Sequence, residues 1–223
     1  MQKWKTFFCF VLQTACVACA QADRGPGTAD QRLGASEVAA GAQTGDVLLI
    51  QSQSAQSPAL REGTGSPWTH VGVVVQVPNQ TEWFVAEASS GIEVTPLARF
   101  LAKSQGGTFV LRRVKGGLTD AQKTTLVPAL LAFGGKPYDI YFEWSDDAIY
   151  CSELVFKAFE RALGLQIGAV QMFRDLRLDG PLVRALIRAR YTSRGRPFDP
   201  TESIVTPVSQ LDSQVLETIA SSL

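Results

Sequence analysis

Two residue types in this chain can do covalent chemistry together, and each occurs almost alone. His70 is the only histidine, in Ser66-Pro67-Trp68-Thr69-His70-Val71-Gly72-Val73-Val74-Val75. Cys151 stands in Tyr150-Cys151-Ser152-Glu153-Leu154-Val155. The other cysteines, Cys9, Cys16 and Cys19, fall in an N-terminal segment that reads as a cleavable signal. A thiol needs a nearby base to become a thiolate at neutral pH, and imidazole is the usual one. The pair therefore points to nucleophilic catalysis. The plainer readings are a buried cysteine on a helix face and a hydrogen-bonded histidine at a strand edge. One cysteine and one histidine do not make a metal-ligand set, so neither a metal nor a cofactor is expected.

A histidine base needs its ring fixed by a third polar group. Glu87 is the candidate, flanked by Ala86 and Ala88 on the strand expected to pair with the one carrying His70. A carboxylate among small apolar residues is costly without a partner. The alternative is a solvent-facing strand residue. Tyr150, Ser152, Tyr138, Trp68 and Asp46 are candidates for a substrate pocket or for oxyanion contacts. The aromatic residues among them could equally pack, and Asp46 could cap the turn into the first strand. Glu153 is read as serving the helix N-terminus electrostatically.

These residues need elements to place them. Val47-Leu48-Leu49-Ile50 follows the turn signal Gly45-Asp46 and reads as a buried strand. Val71–Val77 is β-branched and ends at Pro78-Asn79, and with 82–88 it forms a hairpin. Residues 92–95 and 108–114 read as further strands, and Pro96 opens a short helix. Thr119 and Gln122 form a capping-box pattern ahead of a helix carrying Leu126, Leu130 and Phe133, which Pro128 should kink. Residues 152–163 form a second helix, stopped by Gly164, whose start presents Cys151 to free N–H groups and a positive dipole end. Pro181–Arg190 reads as a third, basic helix, and the remaining tail as polar and irregular. Strands followed by helices argue for an α+β fold, an antiparallel sheet packed against helices.

Residues 1–20 combine Lys3 and Lys5, an apolar stretch over 7–17 and the small residues Ala18-Cys19-Ala20. That is a secretory signal pattern, and it predicts an exported, periplasmic or envelope-associated protein. Cys19 offers an alternative end as a lipid anchor. Residues 21–43 read as a flexible leader with a short helix near Leu33–Ala40, and 44–223 as one domain. Twenty-one basic and twenty-one acidic residues cancel, with no basic stripe, which argues against nucleic acid as a partner.

Taken in order, Gly45-Asp46-Val47-Leu48, the Trp-Thr-His-Val-Gly phrase at 68–72, Glu87-Ala88, Thr95-Pro96-Leu97, Pro137-Tyr138-Asp139 and Tyr150–Val155 resemble the permuted papain-like amidases of the YiiX/YaeF type, relatives of the NlpC-type cysteine peptidases. In that group the histidine strand comes first and the cysteine helix last, which is the order here. The resemblance covers residues 44–165 and leaves 166–223 as a C-terminal extension. It implies a circularly permuted papain-like domain with Cys151 as nucleophile, His70 as base and Glu87 as the third polar residue. It also implies an exported cysteine hydrolase acting on an amide, with a peptidoglycan stem peptide as the leading substrate. The rival readings are an acyl hydrolase or acyltransferase of the lecithin–retinol acyltransferase type, acting on a lipid or ester, and an exported binding domain with an unused thiol.

Overall fold

The computed structural model describes residues 29–223. The signal over 1–20 and the anchor at Cys19 lie outside them. Among the described residues, no helix is long and apolar enough to cross a membrane.

A six-stranded antiparallel sheet organises the chain, with strand order β4-β3-β2-β1-β5-β8. Its strands are β1 (Val47–Ser52), β2 (His70–Gln76), β3 (Trp83–Ala88), β4 (Ile92–Pro96), β5 (Ser104–Val114) and β8 (Leu216–Ser221). Both faces are covered, which explains why β1 and β2 are continuous apolar runs rather than alternating ones. On one face Val71, Val73 and Val75 pack with Leu126 and Leu130 of α4 (Asp120–Leu131) and with Leu154, Val155 and Ala158 of α5 (Cys151–Leu163). On the other, Leu48, Ile50, Val74 and Val85 pack with Val38 of α1 (Ala29–Gly41) and with Phe100 and Leu101 of α3 (Leu97–Leu101).

Local chemistry sets the helix ends. Gln122 N donates to Thr119 Oγ1 and Thr119 N donates to Gln122 Oε1, closing the capping box of α4. That helix continues through Pro128 to Leu131. Gly164 ends α5 in the left-handed region, at φ 65°.

Two expectations change. Residues 29–41 form α1, a helix longer than the short one expected near Leu33–Ala40, and its Val38 is fully buried. Small residues bring this helix close to the sheet; a Cβ on Gly34 would sit 3.1 Å from the Phe109 ring. Nor is the tail irregular throughout. Leu216–Ser221 pairs with β5 as the edge strand, with a register shift between Leu111 and Arg112. Its alternation is too polar to read as a strand without the partner it adds to.

The rest of the extension folds back over the open end of the sheet. It comprises β6 (Val170–Met172), α6 (Pro181–Arg190), β7 (Ser203–Val205) and α7 (Pro207–Leu211), with β6 and β7 forming a small ribbon. α6 docks on α2 (Ser57–Thr64), where Val183 N donates to Glu62 Oε2 at 2.8 Å and Arg177 N donates to Gly63 O at 2.9 Å.

Candidate active site

His70 is the first residue of β2 and Cys151 the first of α5. Since α5 lies on β2, the two starts arrive at one end of the sheet. Glu87 comes from the neighbouring strand. The β2–β3 register pairs Val73 with Ala86, which sets Glu87 across from Gly72 and diagonal to His70 on the same face. Gly72 is what permits this: a Cβ there would lie 2.4 Å from Val85 Cγ1 and 2.9 Å from Ala86 O.

The structure brings the three residues together. His70 Nε2 and Glu87 Oε2 are 2.6 Å apart, with Glu87 fully buried. The Cys151 side chain lies close enough to the imidazole to raise its proton affinity. With Nε2 committed to Glu87, Nδ1 is the nitrogen left for the sulfur. Cys151 is unpaired and 4% exposed. The imidazole stacks on Phe100, centroids 5.3 Å apart, which fixes the ring plane.

Electrostatics follow from the burial. Desolvation opposes an imidazolium, yet hydrogen bonding and negative charge from Cys151, and then from Glu87, outweigh it and raise His70 to about 9. Burial likewise opposes the Glu87 carboxylate, but His70, Lys103 and Thr95 hold it down at about 2. Lys103 Nζ reaches Glu87 Oε1 at 2.5 Å. Lys103, Glu87 and His70 thus form a chain of alternating charge that ends beside the sulfur. Such an arrangement can hold a proton on His70 beside a nucleophilic sulfur at neutral pH.

Tyr138, Trp68, Tyr150 and Ser152 line a cavity that reaches Cys151. Tyr138 sits on the 137–149 loop, which is pinned by Ile149 N donating to Pro137 O and Asp139 N donating to Ile149 O, both at 3.1 Å. Its hydroxyl accepts from Gln56 Nε2 at 2.9 Å, so its own proton is free to point elsewhere. Burial, and then the nearby Cys151 charge, push the Tyr138 phenol well above its usual range. Tyr150 and Ser152 face the extension instead. Val205 N donates to Tyr150 Oη at 3.1 Å and Ser152 Oγ donates to Val205 O at 2.9 Å. Asp46 is not part of this group. It sits at the end of β1 opposite Ile50, the residue paired with His70, and four strand positions amount to about 13 Å. Its carboxylate accepts from Arg113 at 2.7 Å and from Gln43 N at 2.8 Å, tying α1 to the sheet.

Glu153 is buried one turn-start beyond Cys151. It accepts from Tyr150 N at 3.4 Å and pairs with Lys157 at 2.7 Å. Burial raises it to about 7 against the pull of Lys157. Its contacts are with the helix, as the sequence suggests.

The sequence gives no sign of Lys103, Gln56 or Arg190. Lys103 lies between α3 and β5, where any polar residue would fit. Arg190 ends α6, donates from Nη2 to Gln56 Oε1 at 2.5 Å, and rests 4.9 Å over the Phe142 ring. A Gln56–Arg190 partnership spans 134 residues, and no local pattern encodes it. Thr95 at least falls inside a phrase of the family resemblance.

A permuted sheet-and-helix domain whose histidine strand precedes its cysteine helix defines a class, and the comparisons identify it. The chain matches, over residues 41–220, the family described as permuted papain-like amidase enzyme, YaeF/YiiX, C92 family, and it belongs to that family. The match runs through the C-terminal extension as well as the core. Among its relatives is the uncharacterized protein YiiX of Escherichia coli (strain K12), 37% identical over 178 residues, 80% of this chain and 86% of that one. A crystal structure described as the metalloprotein yiiX from Escherichia coli O157:H7 superposes with a TM-score of 0.77 at 37% identity, covering 82% of this chain and 98% of that one.

Proposed function

We propose that this member of the amidase family is an exported cysteine hydrolase that cleaves an amide through Cys151, His70 and Glu87. The observation that carries the reading is the buried 2.6 Å contact of Glu87 with His70, at the end of the sheet where α5 begins with Cys151. The Cys151 sulfur, having given its proton to His70, attacks the carbonyl carbon. The first-turn N–H of Cys151 and the free proton of the Tyr138 hydroxyl receive the developing oxyanion. Collapse breaks the C–N bond, and His70 passes its proton to the departing amine. Water, deprotonated by His70, then breaks the thioester, releasing the carboxylic acid and restoring the sulfur. Glu87 holds the ring and balances the imidazolium, while Lys103 and Thr95 hold Glu87. Export rests on the signal pattern of residues 1–20.

The word metalloprotein belongs to the relative's crystal structure. Among the described residues of this chain, no group of three His, Cys, Asp or Glu side chains could hold a metal ion. The Glu87 carboxylate is already shared by His70 and Lys103. No step here runs through a metal.

The test is mass spectrometry of the protein after brief incubation with amide substrates, peptidoglycan stem peptides and acyl amides among them. A thioester adduct on Cys151, absent from Cys151→Ala and much reduced in His70→Ala, is the expected result. Turnover that persists in Cys151→Ala would remove the cysteine from the mechanism. One observation favours an aliphatic acyl group on the carbonyl side: the cavity that Cys151 opens into.

A further inference from the structure

Three side chains are joined in a line that ends beside the nucleophile, and its direction is set at the far end. Arg190 Nη2 donates to Gln56 Oε1 at 2.5 Å, and Gln56 Nε2 donates to Tyr138 Oη at 2.9 Å. A guanidinium has five N–H donors and no acceptor, so only the amide oxygen of Gln56 can face it. The amide nitrogen of Gln56 is thereby turned to Tyr138. The phenol oxygen must accept, and its own proton is left over. Among the described residues no group accepts that proton. Tyr138 and Cys151 line the same cavity, and burial together with the Cys151 charge keeps the phenol protonated.

Two features set this line apart from a strap between helices. Gln56 is the N-cap residue of α2, yet its side chain caps nothing in its own helix. It commits both ends of its amide to Arg190 and Tyr138 instead. Arg190 in turn meets a neutral amide. No carboxylate among the described residues pairs with it, and its Nη1 is buried without a partner. Burying a guanidinium against a neutral group costs more than an apolar contact would. The α6 segment is already held on α2 by Glu62 and by the Gly63 carbonyl, so the charge has a use other than docking. The ends of the line are also fixed. The Arg190 guanidinium lies 4.9 Å over the Phe142 ring, and that ring meets Tyr138 edge-on, with centroids 6.5 Å apart. Phe142 is itself held at φ 57°, with the Asp139 carboxylate accepting from Tyr141 N and Glu143 N at 2.7 and 2.6 Å.

We infer that Arg190 and Gln56 are positioning residues for the amide hydrolysis, fixing the hydrogen-bond polarity so that Tyr138 points its hydroxyl proton at the substrate carbonyl oxygen. The inference rests on the cysteine-hydrolase reading above and adds a part of the machinery that the C-terminal extension supplies, since Arg190 ends α6. No covalent bond changes along the line. Attack by the sulfur and attack by water both build negative charge on that oxygen, so the donor acts in each step. A flipped Gln56 amide would accept the phenol proton and withdraw it from the site. Arg190 makes that flip costly, because it would set N–H against N–H.

The experiment turns on Gln56→Glu. A carboxylate keeps and strengthens the tie to Arg190, but it has no N–H, so Tyr138 must donate to it. Release of 4-nitroaniline by the full chain from acetyl and γ-glutamyl 4-nitroanilides is measured at neutral pH. For Gln56→Glu, kcat should fall about a hundredfold, as for Tyr138→Phe, with KM and the thermal midpoint little changed. In the Tyr138→Phe background the same substitution should change kcat by less than about threefold, because the group it acts through is gone. Arg190→Met should lower kcat severalfold, and Arg190→Lys, which also only donates, should restore most of it. A strap predicts no loss, so wild-type kcat in Gln56→Glu overturns the inference. An equal loss in both backgrounds also overturns it, tracing the effect to the added charge rather than to Tyr138. If Gln56→Glu fails to fold by circular dichroism, Arg190→Met and Arg190→Lys in the two backgrounds decide under the same criteria. No turnover and no Cys151 thioester in the wild type sinks the hydrolase reading. The tyrosine doublet in Raman spectra, taken as the difference between each protein and its Tyr138→Phe counterpart, then decides the polarity separately. A phenol that changes from accepting to donating in Gln56→Glu supports it, and an unchanged doublet overturns it.

Discussion

Replacing Glu87 with glutamine keeps an oxygen in front of His70 Nε2 and removes one negative charge. In the native protein that carboxylate lies 2.6 Å from the ring and is fully buried, where water screens it little. A hydrogen bond to a charged partner contributes about 1.5–3 kcal/mol, or roughly one to two pH units for the group it favours. His70 stands at about 9 because the Cys151 and Glu87 interactions overcome its burial. Without the carboxylate charge, burial counts for more, and the imidazolium should be lost at roughly pH 7–8. The imidazolium is the acid that protonates the departing amine, so its loss sets the alkaline limb of kcat/KM. In the wild type that limb should fall through about pH 9, and in Glu87→Gln one to two units lower. Lys103→Met supplies a control of opposite sign. Its ammonium repels the imidazolium, so removing it should leave the limb in place or move it up. The assay is amide hydrolysis from pH 5 to 10, with circular dichroism confirming the fold of each variant. An unmoved limb in Glu87→Gln, or a downward shift in Lys103→Met equal to that of Glu87→Gln, would show that Glu87 does not set the proton affinity of His70.

Three further outcomes follow from the same geometry. Gly72→Ala places a Cβ 2.9 Å from the Ala86 carbonyl oxygen, which the β2–β3 ladder cannot release; a loss of about 1–3 kcal/mol is expected, read as a lower thermal midpoint, and an unchanged midpoint would show that the strands part freely there. Stability against urea should peak near pH 5. Glu87, lowered from 4.5 to about 2, contributes above 4.5 and loses that contribution as pH falls toward 2, whereas Glu153, raised from 4.5 to about 7, and His70, raised from 6.5 to about 9, contribute at low pH and lose theirs as pH rises through those values; a flat profile between pH 5 and 9 would contradict both assignments. Tyr138→Phe should lower kcat by about a hundredfold with little change in KM, since an oxyanion donor acts only on the transition state, and an effect confined to KM would make Tyr138 a pocket wall instead.

Legibility in the sequence tracked how local each feature is. The hairpin of β2 and β3, the capping box of α4 and the Gly164 stop of α5 depend on neighbours a few residues away, and the sequence predicts them. Because Cys151 and His70 each open an element, the sequence also places them at element ends. Glu87 was legible through the hairpin register and the cost of burying a carboxylate between alanines. What escaped is long-range. The edge strand β8 exists only because β5 offers it unpaired backbone, and α1 runs past the short helix read at Leu33–Ala40 because it covers an apolar face that its own weak amphipathic pattern does not announce. Lys103 finds Glu87 only after α3 has packed, and Gln56 meets Arg190 only once α6 has docked on α2.

The extension is the clearest case, because its role changes once its contacts are seen. Read along the chain, residues 166–223 follow a site already complete in Cys151, His70 and Glu87. In the fold, the residues on either side of the nucleophile depend on them. Tyr150 and Ser152 both bind Val205, and Gln210 Nε2 donates to the Ser152 carbonyl at 2.8 Å. A helix start is normally the least restrained part of a helix, since its first N–H groups lack intrahelical partners. Here the first turn of α5 is held from 53 to 58 residues downstream. Without those bonds the sulfur would remain, but the position from which it meets His70 would be free to wander. Small displacements of that kind are expensive in a reaction that requires near-attack geometry. The same segment also forms the α6 wall of the cavity, so it fixes the nucleophile and shapes what the nucleophile can reach.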